Sequence, residues 1–425
     1  MIARVTCWGR TIGAVSDIEG SDVVAFEYAP DFLKSGIQLS PIHMPLSDAV
    51  YSFPGLARET FHGLPGLLAD SLPDRFGHLL INAWLAAQGR PADSLSPVER
   101  LCYTGSRGMG ALEFEPVMGP APTSSDALDV DRLVRLASDV LSQRSGLTTQ
   151  LEGVDDILRV GTSAGGARAK AVIAWNRATN EVRSGQIATG DGFEHWLIKF
   201  DGVDGNRDKE IVDPKGYGVV EYAYHRMALA AGIRMSECRL FEENGRRHFM
   251  TKRFDRGPRG GKLHMQTLGA LAHFDYNQAG AHSYEQAFEV MRRLGLPMTD
   301  AEEMLRRMVF NVMARNQDDH VKNIAFLMDR SGRWSLAPAY DVAYNYNPQG
   351  RWTSTHQMSI QGKVDGFTIA DLDACAKIVG LKPSRVEPIL RQVSNAVTGW
   401  KDIASEAGVD GAWSEEIGGR HRVLF

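Results

Sequence analysis

The chain has 425 residues, enough for two or three domains with a sizeable core, and its 43% hydrophobic and 23% charged residues are ordinary for a globular protein. A net charge of −5 excludes bulk attraction to nucleic acid, and the four scattered cysteines, Cys7, Cys102, Cys238 and Cys375, form neither a CxxC zinc pair nor a disulfide framework. With no charged-then-apolar leader pattern and no run of membrane-spanning length, the expected location is the cytoplasm, away from membranes.

Residues 1–118 mix short strand-like runs, 2–8 and 23–28, with loops rich in Gly and Pro. Segments 53–56 and 63–74, with the helix-like 75–88, read as one packing unit of scaffold. Residues 119–125, Gly-Pro-Ala-Pro-Thr-Ser-Ser, are the best linker in the chain. A short helix over 130–142 precedes Val160-Gly161-Thr162-Ser163-Ala164-Gly165-Gly166-Ala167-Arg168-Ala169-Lys170 and a strand at 171–175. Small residues leading into a strand let backbone N–H groups approach a phosphate, with Arg168 or Lys170 supplying charge. The GxxxxGK[ST] pattern is absent, and an ordinary turn is the competing reading.

The next strand, 195–200, carries Lys199 inside an apolar body. A buried Lys is costly unless it meets an anion, so a nucleotide phosphate is the expected partner, against a Lys that simply reaches back to solvent. Helix 217–232 ends on Gly232, and its Glu221 can pair with Lys199 as in a kinase Lys–Glu pair. Runs 238–241 and 248–254 form a hairpin around Glu243-Asn244-Gly245. It delivers Lys252-Arg253-Phe254-Asp255-Arg256 to the crossing between a mixed small lobe and a helical large lobe. Helical periodicity follows at 283–295, 300–315, 369–379 and 383–404.

Chemistry concentrates between 300 and 346. Met304, Leu305, Met308, Val309, Val312 and Met313 make one apolar stripe, with Thr299 or Asp300 as the expected N-cap. The helix runs into Asn316-Gln317-Asp318-Asp319-His320-Val321-Lys322-Asn323, then an apolar run 324–328, a turn at 329–332 and a second run ending in Tyr340-Asp341. Such a hairpin brings its outer ends together, so that Asp318 and Asn323 can share a small volume with Asp341. D-x-x-x-x-N followed by a further Asp is the spacing of phosphoryl transfer: a base for the attacking hydroxyl, then an amide oxygen and a carboxylate for Mg²⁺. Asp319 has the wrong spacing to Asn323. Hydrolysis at an Asp-Asp-His metal site also fits the bare residues.

Leu72-Pro73-Asp74, Gly110-Ala111-Leu112, the 163–170 loop, Lys199, Arg253-Phe254-Asp255-Arg256, the 316–323 loop and Leu336-Ala337-Pro338-Ala339-Tyr340-Asp341 together resemble the HipA family, kinase toxins of bacterial toxin–antitoxin operons. The resemblance spans nearly the whole chain, most specifically in the loop–hairpin core and the Arg-Phe-Asp-Arg segment.

It implies an α+β, kinase-like two-lobe fold: an N-terminal subdomain at 1–118, a mixed small lobe with the phosphate loop at 119–252 and a helical catalytic lobe at 253–425. It implies a serine/threonine protein kinase using ATP and Mg²⁺, with Asp318 as catalytic base and Asn323 and Asp341 as Mg²⁺ ligands. Lys199 and the loop Gly165, Gly166, Ala167, Arg168, Ala169 and Lys170 would hold the phosphates. Lys252, Arg253 and Phe254 would line the adenine hinge, and His320, Val321, Lys322 and Tyr340 would complete the nucleotide pocket. Ser163 falls at the family's self-phosphorylation position, with Thr162 as a neighbouring hydroxyl; a dianionic phosphate there would repel the nucleotide. Arg168 departs from the pattern, standing where an acidic or polar residue is common.

The implied partners are a helix-turn-helix antitoxin of the HipB type, operator DNA reached mainly through that antitoxin, and a protein substrate such as an aminoacyl-tRNA synthetase. A non-catalytic co-repressor scaffold and a small-molecule kinase of the aminoglycoside type are the alternatives.

Overall fold

The computed structural model describes residues 1–73, 75–91, 94–119, 127–142, 168–186, 190–203, 215–257 and 261–423. The linker at 120–125 and the loop 160–167 lie outside them. The chain forms two compact units, one of Met1–Arg207, Phe241–Gln266 and Leu327–Arg333, the other of Asp208–Leu240, Thr267–Phe326 and Trp334–Phe425.

In the first unit, β1 (Ile2–Cys7), β2 (Arg10–Asp17), β3 (Val24–Tyr28) and β4 (Leu112–Glu115) form an antiparallel sheet in the order β3-β2-β1-β4. Trp8 and Gly9 join the first two strands, both at positive φ (53° and 76°), as a two-residue turn matched to strand twist requires. Gly13 faces Tyr28 in β3, and a Cβ on it would lie 2.2 Å from the Glu27 carbonyl oxygen, so only glycine lets these strands pair so closely.

A second sheet contains β5 (Lys170–Asn176), β6 (Val182–Ser184), β7 (Phe193–Lys199), β8 (Cys238–Glu243) and β9 (Arg246–Lys252) in the order β6-β5-β7-β9-β8. The expected Asn244-Gly245 turn is present, with both residues at positive φ. Helix Val130–Ser142 buries Val130, Leu133, Val134, Ala137, Val140 and Leu141, the i, i+3, i+4, i+7 stripe its sequence spells. With helix Arg75–Ala87 it covers one core that includes Ile173, Trp196, Ile198 and Met250. Each large apolar side chain buried there contributes about 1.5–3 kcal/mol.

The second unit is mainly helical. Helix Met298–Met313 packs against Pro383–Thr398, and Trp400–Ala407 packs against Tyr217–Ala230. Gly232, at φ 79°, follows Tyr217–Ala230 in the left-handed position expected of a helix stop. The expected cap of Met298–Met313 is corrected: Pro297 is the N-cap and no side chain caps it. Asp300 instead lies buried in the first turn, accepting from Arg234 Nη2 at 2.6 Å and the Leu336 N–H at 3.0 Å. A carboxylate at that helix end is also favoured by the helix dipole. No described helix is long and apolar enough to cross a membrane.

Candidate active site

The helix Met298–Met313 ends where Arg315 turns to φ 57°, and the Asn316 N–H bonds back to the Asn311 carbonyl at 3.0 Å. This reversal starts the loop 316–323. The loop is fixed from several sides. The Asn323 N–H donates to the His320 carbonyl and its side-chain Nδ2 donates to the Asp318 carbonyl, each at 2.8 Å. With Nδ2 turned inward to the loop, the amide oxygen is the atom Asn323 has for a hard cation.

The neighbouring acids have opposite environments. Asp318 is 31% exposed; its Oδ1 accepts from the Trp352 indole N–H at 2.8 Å and lies 3.8 Å from His320 Nε2. Asp319 is buried, accepting from Tyr284 Oη (2.8 Å) and the Gln357 N–H (2.8 Å), with His356 Nδ1 2.9 Å away. A carboxylate so enclosed holds chain segments together, so the hydrolytic Asp-Asp-His reading loses its second acid. Among the described residues no group of three or more His, Cys, Asp or Glu side chains is placed to hold a metal ion.

β10 (Ala325–Met328) and β11 (Trp334–Leu336) flank the turn, with the Ala337 N–H donating to the Ala325 carbonyl at 3.0 Å. The ends meet as the spacing demands. Tyr340 Oη donates to the Lys322 carbonyl at 2.5 Å. Asn323, His320, Tyr340 and Asp341 line one pocket, with Asn311, Asn316 and Arg307 also in its wall. Asp341 adopts φ 54°, the left-handed region that Asp and Asn tolerate better than other side chains. A backbone turn of this kind at a pocket is a feature that functional sites use. The buried Asp319 lines this pocket, whereas Asp318, Val321 and Lys322 do not. Val321 is buried, its carbonyl accepting from the Gly269 N–H at 3.1 Å, while Lys322 Nζ sits 4.7 Å from the Tyr276 ring centroid.

The remaining candidates belong to the first unit. Lys170 and Lys199 are directly opposite each other on β5 and β7, 2% and 8% exposed. Like charges facing across a strand pair repel, and burial adds a desolvation cost to each ammonium. Lys199 Nζ also lies 5.7 Å from the Phe249 ring centroid. Ala169 is buried with its carbonyl bonded to the Phe200 N–H, and Arg168 is half-buried beside it. Thr162, Ser163, Gly165, Gly166 and Ala167 lie outside the described residues.

Lys252 is partly exposed and bonds Glu194; burial raises that carboxyl, but hydrogen bonds from Lys252 and Arg177 outweigh it and hold the group low. Phe254 is half-buried. Arg253 has an inner partner instead of an open face. Its Nε and Nη2 donate to Asp255 at 2.9 and 2.6 Å, and its backbone N–H pairs with the His195 carbonyl. Asp255, wholly buried, also accepts from Arg256 Nη1 and the Gly110 N–H, each at 2.7 Å. Burial pushes its carboxyl up, but the two guanidiniums override it and hold it well below the usual carboxylate range. The Arg-Phe-Asp-Arg segment thus ties the 108–110 turn to the end of β9.

Trp352, His356 and Gln357 are the site residues that sequence reasoning missed. They sit in an irregular segment with no periodicity, far along the chain from the acids they hold.

The structure resembles that of the HipA protein in the Shewanella oneidensis MR-1 complex of HipA, HipB and operator DNA, with a TM-score of 0.66 and 16% identity, covering 99% of this chain and 96% of that one. This is an α+β protein with a kinase-like fold. The HipA-like C-terminal domain matches residues 162–400 and the HipA N-terminal domain matches residues 3–115, so the chain belongs to the HipA family. It is also 27% identical to the protein named "Putative kinase Y4mE" from Sinorhizobium fredii, over 94% of this chain and 84% of that protein.

Proposed function

We propose that this chain is an ATP-dependent serine/threonine protein kinase of the HipA type, acting as the toxin of a toxin–antitoxin pair. The observation that carries the reading is that Asn323 and Asp341, at the two ends of one hairpin, converge on one pocket beside the loop that bears Asp318. An amide oxygen and a carboxylate are the donors Mg²⁺ prefers, and the kinase name of the Sinorhizobium relative agrees with the chemistry.

In this reading Asp318 takes the proton of a protein hydroxyl while that oxygen bonds the γ-phosphorus and the β–γ bridging oxygen departs with ADP. Asn323 and Asp341 hold the cation, which when bound neutralises charge on the phosphates. Lys199, with Lys170 opposite it and the 165–169 loop before it, takes the phosphates. Lys252 to Phe254 line the adenine hinge, and His320, Val321, Lys322 and Tyr340 shape the pocket around the loop. Residues 1–118 act as the N-terminal subdomain, 119–252 as the small lobe and 253–425 as the catalytic lobe. Phosphorylation of Ser163, in preference to Thr162, switches the enzyme off.

The Shewanella complex of HipA, HipB and operator DNA supports a HipB-type antitoxin and operator DNA as partners; in this reading the DNA is reached mainly through the antitoxin. A translation factor such as an aminoacyl-tRNA synthetase is the proposed substrate, in the cytoplasm. Incubation with γ-labelled ATP and Mg²⁺, beside Asp318→Ala, tests the reading. Label on Ser163 in the parent and none in the variant is expected; equal labelling of both removes Asp318 from the chemistry.

A further inference from the structure

The Trp352 indole N–H ends 2.8 Å from Oδ1 of Asp318. Trp352 belongs to a segment with little regular structure, yet that segment is anchored tightly. Gln357 Nε2 donates to the Trp352 carbonyl, and the Gln357 N–H donates to Asp319 Oδ1 at 2.8 Å. His356 Nδ1 meets Asp319 Oδ2 at 2.9 Å, and the His356 N–H donates to the Val364 carbonyl at 2.9 Å. Asp319 is itself held by Tyr284 Oη, which takes a hydrogen bond from Asn311 Nδ2 at 2.9 Å. A buried acid one residue beyond Asp318 therefore fixes, from inside, the chain that returns to Asp318 from outside. The two adjacent acids are clamped by one segment.

We infer that Trp352 is a positioning residue for Asp318, presented by the Asp319–His356–Gln357 anchor. An indole N–H donates and cannot accept. It therefore holds one carboxylate oxygen in place without competing for the proton a base must take up. A half-buried Asp still has more than one accessible rotamer, and fixing one of them replaces an entropy cost at each turnover with a contact made on folding. In this reading the pair Asp318-Asp319 divides the work: the first acid takes the proton, and the second, which also lines the pocket, builds the support for its partner. The inference rests on the reading of Asp318 as the base.

The test uses the full chain with Trp352→Phe, which keeps a ring and removes the donor, and Trp352→His, which restores a ring N–H. Phosphoryl transfer from Mg·ATP to myelin basic protein should show kcat lowered between about tenfold and about a hundredfold in Trp352→Phe, with KM for ATP unchanged and partial recovery in Trp352→His. Parental kcat in Trp352→Phe, or an equal loss in both variants, overturns the inference. A readout independent of turnover is the indole ¹H–¹⁵N resonance missing from Trp352→Phe. It should exchange slowly with solvent in the parent and faster in Asp318→Ala, and equal rates overturn the contact. Full kcat in Asp318→Asn would instead sink the base assignment, leaving the resonance result standing.

Discussion

Asp255→Asn tests the packing of the first unit most directly. In the parent, the carboxylate takes two hydrogen bonds from Arg253, one from Arg256 and one from the Gly110 N–H, with the Asp255 and Arg253 side chains 0% and 1% exposed. Asn offers one oxygen where Asp offers two, so the amide nitrogen is left facing a guanidinium N–H. One charge-assisted bond is lost outright, worth about 1.5–3 kcal/mol, and both buried guanidiniums lose their counter-charge. Breaking a buried pair from one side costs roughly 3–5 kcal/mol. At about 2–4 °C per kcal/mol, thermal unfolding of this unit should fall by roughly 6–20 °C.

Trp196 is buried in the same unit, so the transition can be followed by its fluorescence once the tryptophans of the other unit are replaced by Phe. Exchanging Arg253, Asp255 and Arg256 together for apolar side chains would not isolate the pair, because Arg256 also bonds the Gly108 and Gly110 carbonyls at 3.2 and 3.0 Å. A midpoint for Asp255→Asn within about 0.5 kcal/mol of the parent would refute the desolvated pair. The pH behaviour has a definite sign. Asp255 has a folded value held below its unfolded one, so its contribution is complete above the unfolded value at about pH 4. It is lost only as pH falls through the depressed folded value, and parent and variant should converge in strong acid alone.

Two further outcomes are expected. Asp341→Asn keeps a side chain suited to φ 54°, so its unfolding midpoint should stay within about 0.5 kcal/mol of the parent while kcat with Mg·ATP falls about a hundredfold or more. Equal loss of stability and activity would point to folding instead. His248 is fully buried, accepts the Asp201 N–H at 2.9 Å through Nδ1, and is lowered by burial to about 4. The unfolded chain binds that proton at about pH 6.5 and the folded one does not, so stability present above that pH should decline toward pH 4, by up to roughly 3 kcal/mol. His248→Asn retains an acceptor without titrating, and a denaturation series from about pH 7 to about pH 4.5 should be flatter for it. Identical slopes would rule His248 out as a source.

Much of the architecture is local and is therefore readable from order and spacing. The stripe on Val130–Ser142, the Asn244-Gly245 turn and the Gly232 stop each depend on periodicity or on φ preferences carried by a few neighbouring residues. The meeting of Asn323 with Asp341 is legible too, because a short hairpin leaves its ends nowhere else to go. The start of Met298–Met313 departs from the local pattern because Asp300 finds partners in Arg234 and Leu336, both distant in sequence, and buried bonds to them outweigh a local cap.

Residue order alone specifies the family, the succession of helices and strands, and the acid–amide–acid spacing. What each polar group does is settled by folding in three dimensions: Asp318 open and Asp319 enclosed, Arg253 turned onto Asp255, and Trp352 brought to Asp318 from 34 residues away. The reason is physical. Adjacent residues of one type share the same propensities, whereas burial and hydrogen-bond partners come from segments that meet only in the folded chain.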